Sequence, residues 1–524
     1  MCPDRTDGLR LLRPLVLTAF LCFSGAPYAR TQEVSAQTPS SLAAAKTHVA
    51  HGDLRGAERI LWSVLSSEPE NQEALTLLGI IRGRQQRYLE SEALFRRLLQ
   101  LNPKSVVACT NLANALAAQG KLDQAIEQYN QAKVLAPQDS DLKVKLARLY
   151  IERGFFTEAL STLNSIPPRR FPAAAIPVKA ASLVALGRKS EAAALIPRTK
   201  DSPTIAMELA EIFIEGKLPH EALRALALAT PSLKRTPARF LYLEGRAQQA
   251  TGQTTAALKN FKQALEVDPK SIDTLLAIAD IYAAENKHAD AINILGQARA
   301  LAPDAMPVLR RVVIEAMNAG ENRTALQAAL ELEQKSPENL DDKYLVAAVL
   351  LQDQEYSGAG QILETYLAQR PQDSKAWLGL GLAHLNQQRY ADARNALERS
   401  LHLDPDLTEA QYELGVVASK EGNTQEAIQR LEHVVQEQPR HAKALLNVGT
   451  LYLQAGELEK AQSALQRSEA ADPTDPETEY QMSLLSNRIG KAEEARKHME
   501  RFQQLKQERD RGGQKAGRER SNTR

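Results

Sequence analysis

The sequence has little cysteine, few aromatic residues and almost no excess charge of either sign. Of 524 residues, three are Cys and 5% are aromatic, and 65 Lys and Arg stand against 64 Asp and Glu. Cys2 and Cys22 lie close to the N-terminus, which leaves Cys109 alone in the rest of the chain. A lone cysteine excludes an intramolecular disulfide there. Cys109 is expected to pack as a small apolar side chain.

Motifs for catalysis and nucleotide binding are also missing. The sequence contains no Walker loop, no HExxH, no paired CxxC and no Gly-rich dinucleotide loop. His48 and His51 have helical spacing, but no third metal ligand accompanies them. The sequence therefore predicts a protein that is not an enzyme, with no catalytic residue, no cofactor and no metal site.

The small net charge hides an uneven distribution. Residues 506–524 hold seven basic and three acidic residues, and the body between residues 37 and 505 has a net charge of −4. Binding of nucleic acid needs a basic face that neutralises phosphates, so nucleic acid is not expected among the partners. Residues 508–524 lose apolar periodicity, and we predict that they form a disordered basic tail.

Residues 1–36 have the pattern of a signal peptide. Arg5, Arg10 and Arg13 precede an apolar run over residues 15–23, which is followed by small and then polar residues. This run is shorter than the roughly 20 residues that span a bilayer. Cleavage after Ala36 would give an exported protein, periplasmic or secreted, without a stable transmembrane span. An uncleaved N-terminal membrane anchor is the alternative.

Proline and alanine recur with one fixed period. Prolines stand at 69, 103 and 137, and again with the same spacing at 269, 303, 337, 371, 405, 439 and 473. Twelve positions before each lies a small residue, which a close helix crossing requires: Ala57, Ser91, Ala125, Ala257, Ala291, Ala325, Ala359, Ala393, Ala427 and Ala461. Between Trp377 and Pro405, apolar residues recur every three to four positions. Each unit is thus predicted to be two helices and two turns.

These units resemble the tetratricopeptide repeat family. The match is carried by the run Trp377-Leu378-Gly379 through Ala393 to Pro405, by Leu414-Gly415 through Ala427 to Pro439, and by Gly449 and Tyr452 through Ala461 to Pro473. The resemblance covers about residues 38–507. It implies an all-α fold, a right-handed α-solenoid (superhelix) of about 14 tandem helix-turn-helix units that binds other proteins.

The spacing divides the array into three parts. Residues 37–137 form a regular array of about three units, residues 138–270 about four irregular units, and residues 271–507 about seven regular units. Extra prolines mark the irregular part, at 167, 168, 177, 197, 219 and 231. Its second helix near Ser190–Ile196 is expected to be short. This part is either repeat drift or a hinge.

A candidate partner-binding groove follows from the resemblance, because the first helices line the concave side of such a superhelix. Three tyrosines share one position of the first helix in every second unit, with leucines on the units between. This stripe either holds a partner segment or packs between helices. With two asparagines at the adjoining inner position, the candidate residues are Tyr344, Leu378, Tyr412, Leu446, Tyr480, Asn111 and Asn447.

The residues required for two known binding functions of such grooves are missing from this sequence. The asparagine ladder of the protein O-glycosyltransferases is interrupted, for example by Lys145, Arg311 and Glu413. The clamp that binds chaperone carboxylates needs Lys and Asn where Thr76 and Ile80 stand.

The leading hypothesis is a non-catalytic scaffold or adaptor that acts outside the cytoplasm. It would bind peptide or helical segments of unidentified proteins, by analogy in envelope assembly, secretion or surface-polymer export. The alternative is a substrate-recognition arm of a glycosyltransferase or protease complex whose active site is on another chain.

Overall fold

The structure is a computed structural model that describes residues 38–233 and 235–522. Within these ranges the chain forms 28 α-helices in 14 consecutive pairs, and it has no β-strand. The all-α solenoid of about 14 helix-turn-helix units is therefore confirmed. The predicted signal peptide of residues 1–36 lies outside the described residues.

The chain divides into two compact units, Met1–Ala277 and Ile278–Arg524. In the first unit, helices pack on their neighbours along the chain to form a solenoid. Its helices are α1 (Thr38–Ala50), α2 (Leu54–Ser67), α3 (Gln72–Arg84), α4 (Tyr88–Leu101), α5 (Val106–Ala118), α6 (Leu122–Leu135), α7 (Ser140–Glu152), α8 (Phe156–Asn164), α9 (Ala175–Ala185), α10 (Lys189–Ala193), α11 (Pro203–Glu215), α12 (Pro219–Ala229), α13 (Ala238–Ala250) and α14 (Thr254–Val267).

The second unit is built in the same way. The boundary falls inside α15 (Ile272–Ala284), and the helices that follow are α16 (His288–Leu301), α17 (Met306–Asn318), α18 (Asn322–Lys335), α19 (Leu340–Gln352), α20 (Tyr356–Gln369), α21 (Ser374–Asn386), α22 (Tyr390–Leu403), α23 (Thr408–Lys420), α24 (Thr424–Glu437), α25 (Ala442–Ala455), α26 (Leu458–Ala471), α27 (Pro476–Arg488) and α28 (Ala492–Asn522).

The periodic small residues lie where the two helices of a pair cross. All ten are at most 1% exposed. In the one pair that has Ser instead of Ala, the Ser91 hydroxyl donates a hydrogen bond to the carbonyl of Gly79 on the facing helix, over 2.8 Å. A side chain larger than Ala at these positions would separate the helices.

The periodic prolines set the start of many first helices. The residue two positions after the proline caps the following helix, as Asn71 does after Pro69. The Asn71 side chain accepts a hydrogen bond from the backbone N–H of Ala74, and Asp373 caps Ala376 in the same way. Such caps satisfy backbone donors that have no partner inside the helix.

One residue of every pair has left-handed backbone geometry, in the turn between its two helices. Nine of these residues are Gly, and five are larger: Gln86, Lys217, Asn286, Gln354 and Gln388. They recur with the period of the prolines, except around Gly187 and Lys217. The left-handed turn residue thus lies at a fixed distance from the periodic proline, also in the units that have a larger residue than Gly at this position.

The irregular part has short second helices. Most second helices of the chain have the length of α2, which is 14 residues. By contrast, α8 has nine, α10 five and α12 eleven. A short 3-10 helix follows each, at Pro168–Arg170, Ile196–Thr199 and Thr230–Ser232. The short second helix predicted near Ser190–Ile196 is confirmed. The hinge stays a prediction.

The C-terminal helix is longer than its sequence suggests. Helix α28 runs to Asn522 and includes most of the segment for which composition predicts a disordered tail. The disorder of this segment stays a prediction. Separately, among the described residues no helix is long and apolar enough to cross a bilayer.

Candidate partner-binding groove

The predicted stripe occupies five successive first helices of the second unit. Tyr344 lies on α19, Leu378 on α21, Tyr412 on α23, Leu446 on α25 and Tyr480 on α27, and all five residues are half-buried. The stripe is therefore partly accessible and partly engaged with neighbouring helices.

The three tyrosine rings each pack against another ring. The ring centroids are 5.5 Å apart for Tyr344 and Tyr366, and 5.4 Å for Tyr480 and Phe502. The Tyr412 ring lies 5.0 Å from the imidazole of His441. These distances are typical of stabilising aromatic pairs. The geometry thus favours the packing interpretation for most of each ring.

The two leucines of the stripe contribute to packing as well. Leu378 packs against the buried cluster around Leu397 and Leu414, and Leu446 against the cluster around Leu431 and Leu465. Whether these two leucines also contact a partner stays a prediction.

Asn111 corrects the predicted groove. It is 0% exposed, so no partner can reach it at the surface. Its carbonyl oxygen accepts a hydrogen bond from the amide of Asn114, whose own oxygen accepts one from the hydroxyl of Tyr129. Asn111 belongs to a polar group inside the first unit, where helix packing on all sides closes the inner position.

Asn447 and Tyr412 do line an open cavity. This cavity of about 670 Å³ lies between α21, α23 and α25. Its apolar walls are formed by Leu382, Leu385, Val416 and Leu451, among others. Polar side chains make up more than half of the lining residues, so the cavity offers a partner a mixed surface rather than an apolar one.

The hydroxyl of Tyr412 is held in place at this cavity. The side-chain amide of Asn447 donates a hydrogen bond to it over 3.1 Å, from one first helix to the next. Burial raises the pKa of Tyr412 to about 12, and the nearby charge of Glu413 adds to this effect. The phenol therefore stays neutral and offers a partner its ring edge and its proton.

Glu413 is a functional candidate that the sequence-based prediction missed. There it was named only as a residue that interrupts the asparagine ladder. Its carboxyl lines the cavity and is half-buried, and no hydrogen bond to it exists within the described part of the chain. Burial raises its pKa to about 7, against the opposing effect of Lys443. The available signal was an acid at an inner position between Tyr412 and Leu414.

Two lysines complete the lining. Lys420 and Lys443 belong to it, while Glu413 is its one acid, and the lining residues include no His and no Cys. The cavity thus offers a partner apolar walls, an aromatic side chain and charges of both signs.

Models of the tetratricopeptide repeat match three parts of the chain. Two models described as tetratricopeptide repeat match residues 42–106, and residues 84–141 and 248–312. A third, described as the TPR domain of cytochrome c-type biogenesis protein H, matches residues 339–478. This last range contains α21, α23 and α25, and hence the cavity.

Relatives among known proteins share only short segments. The chain is 27% identical over 118 residues to TPR repeat-containing thioredoxin TTL4 of Arabidopsis thaliana, which is 22% of this chain and 17% of that protein. It is 30% identical over 91 residues to Superkiller protein 3 of Schizosaccharomyces pombe, 17% of this chain and 7% of that protein. It is 28% identical over 122 residues to mouse Protein O-mannosyl-transferase TMTC1, 22% of this chain and 13% of that protein. The matched segments thus span less than a fifth of the length of these relatives.

Solved structures with similar folds include the APC/C hetero-tetramer Cut9–Hcn1. That chain is 15% identical with a TM-score of 0.44, and the match covers 90% of this chain and 94% of that one. A tetratricopeptide repeat protein from Parabacteroides merdae is 19% identical with a TM-score of 0.38, covering 47% and 98%.

Proposed function

The chain is a tetratricopeptide repeat protein, and we propose that it is a non-catalytic adaptor that binds a segment of another protein in the cavity between α21, α23 and α25. Proteins of this fold generally bind other proteins. The observation that carries the proposal is Glu413, a half-buried carboxyl without a hydrogen bond among the described residues, beside Tyr412 in a cavity with both polar and apolar walls.

A Lys or Arg side chain is the group that this carboxyl recognises best. Ionised Glu413 has lost part of its hydration and gains little from Lys443, so a cation from a partner supplies the missing interaction. The aliphatic stem of the same side chain fits the apolar walls, and its charged head can lie near the Tyr412 ring. The partner segment therefore has a basic residue flanked by apolar ones.

We also propose that the adaptor works outside the cytoplasm, in the handling of an exported polypeptide. The N-terminal charge and hydropathy pattern supports export. The match over residues 339–478 to a domain named for cytochrome c-type biogenesis supports a role in assembling other proteins. To test export, residues 1–60 are fused to alkaline phosphatase and the fusion is expressed in a bacterium. The phosphatase should be active, and the mature chain should begin at Gln37. An inactive fusion contradicts export.

Peptide display tests the binding proposal. A library of random 12-residue peptides is selected on the full chain, and enriched peptides should contain Lys or Arg between apolar residues. Their affinity, measured by fluorescence anisotropy, should fall at least tenfold for Glu413→Gln and for Tyr412→Ala.

Glu437→Gln is the matched control, because it removes an exposed carboxyl from the neighbouring helix α24. Its affinity should equal that of the unaltered chain. Enriched peptides that lack a basic residue, or that bind Glu413→Gln unchanged, would contradict the proposed recognition.

The alternative from the sequence, a recognition arm of a transferase or protease complex, stays a prediction. It would use the same kind of surface. The two proposals differ in what co-purifies with the chain, because an arm brings an active enzyme with it and an adaptor does not.

A further inference from the structure

The last three helices bring together three side chains that bind metals in other proteins. Glu469 lies on α26, Glu479 on α27 and His498 on α28, and each offers one ligand atom within 4.8 Å of the other two. No sequence motif and no characteristic sequence spacing predicts this group, because its members belong to three different helices.

Burial gives this group its significance. Glu479 is 5% exposed, and its one hydrogen-bond partner among the described residues is the Nδ1 of His498, 2.7 Å from Oε2. Glu469 is half-buried and has no hydrogen bond or ion pair within the described residues. Two carboxylates therefore face each other with one imidazole and, in the described part of the chain, without a Lys or Arg partner.

A buried carboxylate requires a compensating charge. A divalent cation balances both carboxylates and also binds a neutral ring nitrogen. The cluster thus offers a dication two carboxylate oxygens and one ring nitrogen within 4.8 Å of one another.

We propose that Glu469, Glu479 and His498 form a binding site for a divalent transition-metal ion, with Zn²⁺ as the representative. One imidazole nitrogen and two carboxylate oxygens are a ligand set that suits zinc and its neighbours better than Mg²⁺ or Ca²⁺, which prefer oxygen alone. Ligand atoms around a tetrahedral zinc ion are about 3.3 Å apart, so small side-chain rotations within the cluster are sufficient. The fourth position remains for water or for a group from a partner.

Bound metal would link three successive helices at the end of the second unit. The three ligands come from the second helix of one pair and both helices of the next. An ion at this place fixes α28 to the helices before it, in addition to the contact of Tyr480 with Phe502. The site is separate from the cavity at Glu413, and it does not depend on the proposed function.

Zinc titration of the full chain tests the proposal. The protein is stripped with EDTA, desalted, and titrated with ZnCl₂ in competition with a chromophoric chelator. One equivalent should bind per chain, and Kd should rise at least tenfold in Glu469→Gln and in His498→Gln. The controls Glu459→Gln and His433→Gln remove the same groups from exposed positions of α26 and α24, and their Kd should not change.

A second measurement does not depend on how the variants fold. X-ray absorption of the zinc-loaded chain should show one imidazole nitrogen with oxygen ligands for the remainder. Two or more imidazoles in the spectrum would overturn the assignment, as would a Kd in Glu469→Gln and His498→Gln equal to that of the unaltered chain.

Discussion

Gly415 on α23 faces Leu431 on α24 so closely that a Cβ atom on Gly415 would lie 2.8 Å from Leu431 Cγ. The same relationship recurs in other pairs, between Gly381 and Leu397 and between Gly449 and Leu465. The first helix of each of these pairs thus has Gly at the crossing, and the space that a side chain would occupy is filled by a Leu of the second helix.

Gly415→Ala should therefore destabilise the chain, although Ala is the better helix former. Displacing Leu431 in a packed interior costs about 1–3 kcal/mol. Gly296→Ala is the control, because Gly296 is exposed on α16 with no atom within 4 Å of an added Cβ. This second change should stabilise by about 0.5–1 kcal/mol. Urea unfolding followed by circular dichroism compares them, and equal midpoints would disprove the crowding argument.

The left-handed turn residues give a second pair of substitutions. Gln354 has φ 65° and Gly422 has φ 82° at equivalent places. Because side chains with a Cβ are strained in this region, Gln354→Gly should stabilise by about 0.5 kcal/mol and Gly422→Ala should destabilise by about 1 kcal/mol. Thermal unfolding would show opposite shifts. Shifts in the same direction would contradict the strain argument, and no shift in either variant would mean that the turns tolerate any residue.

Glu413 should make stability depend on pH in the direction opposite to most acids. Its pKa is raised from 4.5 to about 7, so the folded state holds this proton when the unfolded state has lost it. Stability is then full below about pH 4.5 and falls as pH rises towards 7. With allowance for water at the cavity mouth, Glu413→Gln should gain about 1–2 kcal/mol on the unaltered chain between pH 4.5 and 8. A constant difference across this range would show that the carboxyl is well hydrated.

Substitutions in the tyrosine stripe distinguish a role in helix packing from a role in partner binding. Since each ring contacts another ring, replacing Tyr344, Tyr412 and Tyr480 together with Ala should lower stability by about 1–2 kcal/mol per site. Tyr412→Phe keeps its ring and removes the acceptor of the Asn447 amide, at a cost of about 0.5–1.5 kcal/mol. Denaturant titration measures both. Unchanged stability of the triple variant would show that the rings serve a partner alone.

Much of the fold was predictable because the same sequence pattern recurs in many units of the repeat. The periodic Ala and Pro residues announce a helix crossing and a helix end, and the structure has both where they are expected. The left-handed turn was not predictable where Gln354 or Lys217 occupies it, since these residues rarely adopt such a backbone. There the packing of the two helices, rather than local preference, determines the turn.

The candidate sites were less predictable, because burial depends on neighbours that the repeat pattern does not specify. Asn111 and Asn447 occupy equivalent positions, yet the first is enclosed and the second lines a cavity. The ligand cluster of Glu469, Glu479 and His498 arises where three helices meet, so no spacing along the chain reveals it.

The left-handed residue in every turn also bears on how such a chain changes length during evolution. Two consecutive turns, such as those at Gln388 and Gly422, delimit a segment that can be removed or duplicated while every first helix is still followed by a second helix. Gains and losses of whole segments preserve this register, whereas shorter insertions and deletions do not. The spacings around Gly187 and Lys217 depart from this register, in the part where the second helices are short.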